Sequence, residues 1–138
     1  MTPIRNIEAI LKECKTVAVV GLSPNPSRPS YRVALYLQAN RYRVVPVNLN
    51  PTEVLEERCY PNLAAIPHSV ELVDIFRRSE DVPVVVDEAI EIGAEAVWMQ
   101  PGIVNESSAT LAEAAGLDVV MDKCTAIEHR MLVKAGRL

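Results

Sequence analysis

The groups best equipped for chemistry in this chain are arginines and small polar residues set among turn formers. Arg28 lies in the stretch Gly21-Leu22-Ser23-Pro24-Asn25-Pro26-Ser27-Arg28-Pro29-Ser30, which joins an apolar run, Thr16-Val17-Ala18-Val19-Val20, to a helical pattern beginning at Ser30. A strand, a glycine turn and a helix N-terminus make an anion cradle. The first helical N–H groups point outward without an intrahelical partner, and the helix dipole favours negative charge there. Pro24, Pro26 and Pro29 donate no N–H, so contacts to an anion fall to Ser23, Asn25, Ser27, Arg28, Ser30 and Tyr31. Arg28 suits a phosphate because its planar fork can engage two oxygens.

Other polar groups gather at the ends of four more apolar runs: residues 48–51, Phe76-Arg77-Arg78, Gln100-Pro101-Gly102 and Asp122-Lys123-Cys124. This set is rich in amides and arginines, and Asp122 is its only carboxylate. It contains no nucleophile–base pair. His129 falls five residues after Cys124, off its helical face, so the two form no dyad. Cys124 reads as a small hydrophobe, Trp98 as core, and Asp122 as a helix cap or a partner for an arginine. His68 stands alone after Pro67 and is expected to be exposed. No His, Cys or carboxylate spacing fits a metal.

To converge, these groups need a scaffold that turns every strand end to one side. The chain has 138 residues, enough for a single domain over 1–138 with one sizeable core. Its 49% hydrophobic content includes only 4% aromatic residues, so the core is aliphatic, as in a parallel sheet covered by helices. Buried strands are expected at 16–20, 44–47, 72–76, 96–99 and 119–121. The segment from 48 to Pro67 reads as irregular, with a short helix from Asn62. Helices are expected from Thr2, as N-cap before Pro3, through Ile4 and Ile7 to Cys14; from Ser30 to a C-cap at Asn40; from about Asp81 to Gly93; over 106–115; and over 126–134. This alternation predicts an α/β fold: a single Rossmann-like, doubly wound, five-stranded parallel sheet in the order 3-2-1-4-5, with helices on both faces. Ligands of such sheets bind beyond the carboxyl ends of the strands, where the polar clusters lie.

Composition narrows the ligand. A net charge of −4 and a pI near 5.2 argue against a nucleic-acid partner. No apolar run reaches the roughly 20 residues of a membrane helix, and residues 1–5 carry no signal-peptide stretch. Three widely spaced cysteines, Cys14, Cys59 and Cys124, suggest a reducing cytoplasm without a disulfide framework. For a dinucleotide, the fingerprint needs glycines at Gly21 and at the positions of Ser23 and Pro26, and only the first is present. The acid that would grip an NAD ribose is also missing: Asn48 and Asn50 occupy its place.

The set Gly21-Leu22-Ser23-Pro24-Asn25-Pro26, Arg28-Pro29-Ser30, Pro46-Val47-Asn48, Asp74-Ile75-Phe76-Arg77, Trp98-Met99-Gln100-Pro101-Gly102 and Asp122-Lys123-Cys124, with Glu128-His129, resembles the small stand-alone CoA-binding protein family. That family is similar to the N-terminal domain of the succinyl-CoA synthetase α subunit. The match runs in order over nearly the whole chain. It departs at Val47-Asn48-Leu49, where the family has Val-Asn-Pro. The resemblance implies that coenzyme A or an acyl-CoA lies across the strand ends, and the single carboxylate and absent nucleophile–base pair there predict no catalysis by this chain. Gly21, Ser23, Pro24, Asn25, Arg28 and Ser30 would hold its phosphates. Asn48, Asn50, Phe76, Arg77, Gln100 and Gly102 would line the cleft. The alternative is an NAD(P)-binding or acyl-CoA ligase-type enzyme subunit. A protein partner or a second copy of the chain is left open.

Overall fold

The computed structural model describes residues 6–138. The elements are α1 (Ile7–Glu13), β1 (Thr16–Val20), α2 (Pro29–Ala39), β2 (Arg43–Val47), a small hairpin of β3 (Glu53–Val54) and β4 (Glu57–Arg58), β5 (Leu72–Ile75), α3 (Val82–Glu91), β6 (Ala96–Met99), α4 (Glu106–Ala114), β7 (Asp118–Val120) and α5 (Thr125–Lys134). The caps expected at Thr2 and Pro3, and the contribution of Ile4, lie outside the described residues. The described start of α1 is capped by Asn6, whose side chain accepts from the Ala9 N–H at 2.8 Å. The short helix expected from Asn62 is a single 3-10 turn, Leu63–Ala65, capped by the same device.

Five strands form one parallel sheet in the order β2-β1-β5-β6-β7. The fold is Rossmann-like and doubly wound, but the expected order 3-2-1-4-5 is corrected. The third sheet strand, β5, pairs with the first, β1, rather than lying outside the second, so the order is 2-1-3-4-5. Two local facts explain this. All four residues of β5 are buried, which suits a central strand and not an edge. Pro46 in β2 has no N–H for a neighbour and belongs on an edge. Its carbonyl accepts from Tyr60 on the outer side, while Val47 accepts from Gly21 on the inner side. The proline's missing donor therefore falls where no strand needs it.

Side chains alternate between two layers. Val17, Val19, Leu72 and Trp98 face α1, α2 and α5 through Ile10, Leu11, Leu37 and Ala126. Ala18, Val73, Val97 and Met99 face α3 and α4 through Val82, Val86 and Ala112, and Leu63 joins this layer. Strand β7 begins and ends one residue before the expected 119–121. The segment read as irregular contains the β3–β4 hairpin. Its turn residues Leu55 and Glu56 have φ of 55° and 63°. Hairpin turns of this kind usually carry Asn-Gly or Asp-Gly, so Leu-Glu gave no turn signal.

Register brings the strand ends level. Val20 pairs with Val47 on one side and with Ile75 on the other, and Ile75 pairs with Met99. Gly21, Asn48, Phe76 and Gln100 thus follow at one height. From β1 the chain leaves toward β2 through α2, and from β5 it leaves toward β6 through α3 on the opposite face. The two strand ends diverge, and the crevice between them is where such sheets hold ligands.

Candidate functional site

Gly21 sets the crevice. Its φ of +89° is in the left-handed region, and a Cβ there would land against the carbonyl oxygen of Phe76. Only glycine lets the ends of β1 and β5 approach this closely. Beyond it the loop is braced by its own side chains. Ser30 Oγ accepts from Ser23 N–H at 3.0 Å, Ser23 Oγ from Asn25 N–H at 3.1 Å, and Asn25 Oδ1 from Ser27 N–H at 3.0 Å. Asn48 donates from Nδ2 to the Leu22 carbonyl at 3.0 Å, tying the loop to the end of β2. Arg28 is the N-cap of α2 with extended backbone and makes no side-chain cap bond, and Pro29 follows at the first helical position. The Arg28 carbonyl receives the Arg32 N–H. The N–H groups of Ser30 and Tyr31 therefore precede the helical ladder, as an anion site requires.

A cleft of about 460 Å³ opens here. Of the residues expected to bind a ligand, it is lined by Gly21, Ser23, Arg28, Ser30, Phe76 and Arg77, and also by Arg78 and Ile103. Arg77 also lines a second groove, of about 500 Å³, on the α3 side, with Val20, Leu49 and Val84. Pro24, Asn25, Asn48, Asn50, Gln100 and Gly102 do not line the first cleft. Pro24, Asn25, Asn50 and Gly102 are exposed, and Asn48 is half-buried in its brace. Among the described residues no ion pair involves Arg28 or Arg77, whereas Arg78 pairs with Glu80 at 3.3 Å and Asp81 at 3.2 Å. The cleft therefore presents two arginines free of protein carboxylates beside a helix N-terminus.

Among the described residues Asp122 neither caps a helix nor pairs with an arginine. Its Oδ1 accepts from the Gly102 N–H at 2.7 Å and ties the turn after β6 to the end of β7. Trp98 is fully buried and donates its indole N–H to the Lys123 carbonyl at 2.7 Å, as core packing implies. His129 is buried, with Nδ1 2.8 Å from the Tyr36 hydroxyl and its ring edge-on to Tyr36 and Tyr42. Burial and then the nearby Lys15 charge lower its pKa, which favours neutral imidazole. His68 is half-buried rather than exposed, with Nδ1 3.1 Å from the Ser69 carbonyl oxygen. Among the described residues no group of His, Cys, Asp and Glu could hold a metal ion, and no helix is long and apolar enough to cross a membrane.

Inspection of strand ends missed Asp74, which lies one turn of the pleat below them. It is fully buried, accepting from Gln100 Nε2 at 2.5 Å and from Thr125 Oγ1 at 3.1 Å, and Gln100 Nε2 also reaches Thr125 Oγ1 at 3.0 Å. An aspartate inside an otherwise apolar strand, Leu72-Val73-Asp74-Ile75, was the available signal. Burial pushes its pKa up to about 7, and the two hydrogen bonds to the carboxylate only partly offset this. The native state thus binds a proton at Asp74 between pH of about 4 and 7 that the unfolded chain has released, so stability falls as pH rises through this window. Asp74→Asn removes the effect. In urea unfolding the variant is expected to exceed the parent at pH 8 by up to about 4 kcal/mol and to match it below pH of about 4. A parent that gains stability over the variant as pH rises would contradict the assignment.

Comparison with known proteins gives the family and the fold. The profile of a family described as "CoA binding domain" matches residues 15–130. A protein of Bacillus subtilis (strain 168), "Uncharacterized protein YneT", is 37% identical over 123 residues, covering 89% of this chain and 91% of that protein. "Acetate--CoA ligase [ADP-forming] II" of Archaeoglobus fulgidus is 33% identical over 95 residues, which span 67% of this chain but only 14% of the ligase. Among solved structures, a hypothetical protein from Pyrococcus horikoshii OT3 superposes with a TM-score of 0.90 at 36% identity, covering 96% of this chain and 99% of that one.

Proposed function

This chain belongs to the CoA binding domain family, and from that premise we propose that it binds coenzyme A or an acyl-CoA across the carboxyl ends of its strands, without catalysis of its own. The carrying observation is the cleft between β1 and β5, where Arg28 and Arg77 stand free of protein carboxylates beside the N-terminus of α2. The protein is acidic overall, so attraction to a phosphate-rich ligand has to be local. The neutral side chains of Asn48 and Asn50 at the end of β2 spare a phosphate the repulsion an acid would impose. Against NAD, the acid that would grip its ribose at the end of β2 is absent, with Asn48 and Asn50 in its place.

The absence of chemistry rests on how the reactive groups are disposed. Asp74 is sealed in the core, His129 is engaged with Tyr36, and Asp122 is engaged with a backbone N–H. The likeness to an ADP-forming ligase supports a second reading, in which the domain holds CoA for a catalytic reaction. Titration calorimetry separates the ligands: CoA is expected to bind at least about tenfold more tightly than NAD, since each extra charge-assisted contact contributes roughly 1.5–3 kcal/mol. Equal affinities would overturn the CoA assignment. Incubation of the pure chain with CoA, acetate and ATP is expected to form no thioester. Turnover lost on substituting Asp122 or Cys124 would establish the enzymatic reading instead.

A further inference from the structure

The side chain of Gln100 is oriented from below. Its residue is 2% exposed, and both hydrogens of its amide point inward, to Asp74 on β5 and Thr125 at the start of α5. The carboxylate compels this rotamer, because the opposite one would set the amide oxygen against Asp74 and bring two acceptors together. The remaining atom, Oε1, has no hydrogen-bond partner among the described residues. Among the described residues no buried side-chain oxygen or nitrogen lacks a partner, so Oε1 keeps contact with solvent. It does so on the sheet face covered by α2 and α5, the side on which the Arg28 cleft opens. The Gln100 backbone reaches the same region: its N–H bonds to the Ile75 carbonyl, and its carbonyl receives the N–H of Ile103, a residue of the cleft wall.

We propose that Asp74 and Thr125 are positioning residues for the ligand site, holding Gln100 so that Oε1 is a fixed acceptor for an N–H or O–H group of the ligand beyond its phosphates. The inference rests on the proposed CoA binding, since the arm of CoA carries amide N–H and hydroxyl groups of this kind. It also makes the acceptor conditional. A protonated Asp74 can itself donate to the amide oxygen, so the flipped rotamer no longer sets two acceptors together, and it presents an NH2 group outward. Burial holds Asp74 near neutrality, at about 7, so the change falls in an accessible range. The titratable and charged groups on the elements around it are Cys124 at the N-cap of α5 and Glu128, His129, Arg130 and Lys134 within it, Tyr31, Arg32 and Tyr36 of α2, Glu8, Lys12 and Glu13 of α1 with Cys14 after it, and Asp122 and Lys123 beyond β7. Its hydrogen bonds go only to Gln100 and Thr125.

The test is the pH dependence of affinity by titration calorimetry. Dephospho-CoA is the probe, because the phosphomonoester of CoA titrates near pH 6 and would confuse the profile. In the parent the Kd is expected to rise about three- to tenfold from pH 8 to pH 6, the worth of one hydrogen bond. Asp74→Asn should flatten the profile. Thr125→Val removes one donor that favours the carboxylate, so it should move the midpoint to higher pH, which a merely structural loss would not do. It also serves if the first variant does not fold. A parent that binds the probe with no pH dependence, or a Thr125→Val midpoint equal to the parent's, overturns this proposal and leaves CoA binding standing. Failure of the parent to bind CoA or dephospho-CoA at any pH overturns both.

Discussion

Alanine at both Arg28 and Arg77 should weaken CoA binding by about a hundredfold and leave the fold intact. Each guanidinium that meets a phosphate makes charge-assisted hydrogen bonds worth roughly 1.5–3 kcal/mol, or about tenfold or more in affinity. The two sit on different segments of the cleft, one at the start of α2 and one after β5, so their losses should add. Neither has an ion-pair partner among the described residues, so truncation leaves no stranded carboxylate and little reason for unfolding. Arg78 is the internal control. It lines the same cleft, but its guanidinium is occupied by Glu80 and Asp81, and Arg78→Ala should change affinity far less. Calorimetry at fixed low salt, with circular dichroism to verify folding, reads all three. A double variant within about threefold of the parent would show that the phosphates lie elsewhere.

Gly21→Ala should be among the most destabilising single substitutions in the chain. The φ of +89° strains any side chain, at about 1–2 kcal/mol. The added methyl also meets the backbone carbonyl of Phe76, which cannot swing aside as a long side chain can. Phe76 N–H donates to the Val20 carbonyl and Gly21 N–H to the Val47 carbonyl, both at 2.8 Å, so relieving the clash means parting the sheet at β1. Together these effects suggest a loss on the order of 3–5 kcal/mol, a large fraction of an ordinary domain's stability. The shift in the urea midpoint measures it. CoA binding should fall with it, since the same movement widens the cleft. A Gly21→Ala protein as stable as the parent would mean that β1 and β5 do not approach as described.

Much of this site was legible along the chain because local chemistry repeats itself reliably. The strand at Thr16–Val20, the glycine turn and the helix behind Arg28 are each dictated by neighbours in sequence: β-branched runs, turn formers, and a proline acceptable at the first turn of a helix. So were the inward faces of α2 and α3, whose buried Val33, Ala34 and Leu37, and Val82, Val85, Val86 and Ala89, follow helical spacing. Pro46 carried a further message that went unread: a strand with a proline in its middle belongs on an edge, which already disfavours the order 3-2-1-4-5. The hairpin at Leu55 and Glu56 was invisible because its turn uses residues that rarely adopt positive φ, held there by packing and by the Gln38 amide on the Leu55 carbonyl.

The sequence by itself determined the class of fold, the end of the sheet at which the polar clusters gather, and the cationic, amide-rich character of that end. Each follows from residue type and short-range periodicity. Tertiary structure alone decided which of those groups share a cleft and which are spent on the scaffold. Asn48 and Asp122 brace loops, and Gln100 turns inward to Asp74, 26 residues earlier. Tyr36 meets His129 across 93 residues. The state of Asp74 depends most on this level. A carboxylate titrates near 4 in water and is pushed up to about 7 here because burial between β1, β6 and α5 removes its solvent, and no local pattern encodes how completely they close over it.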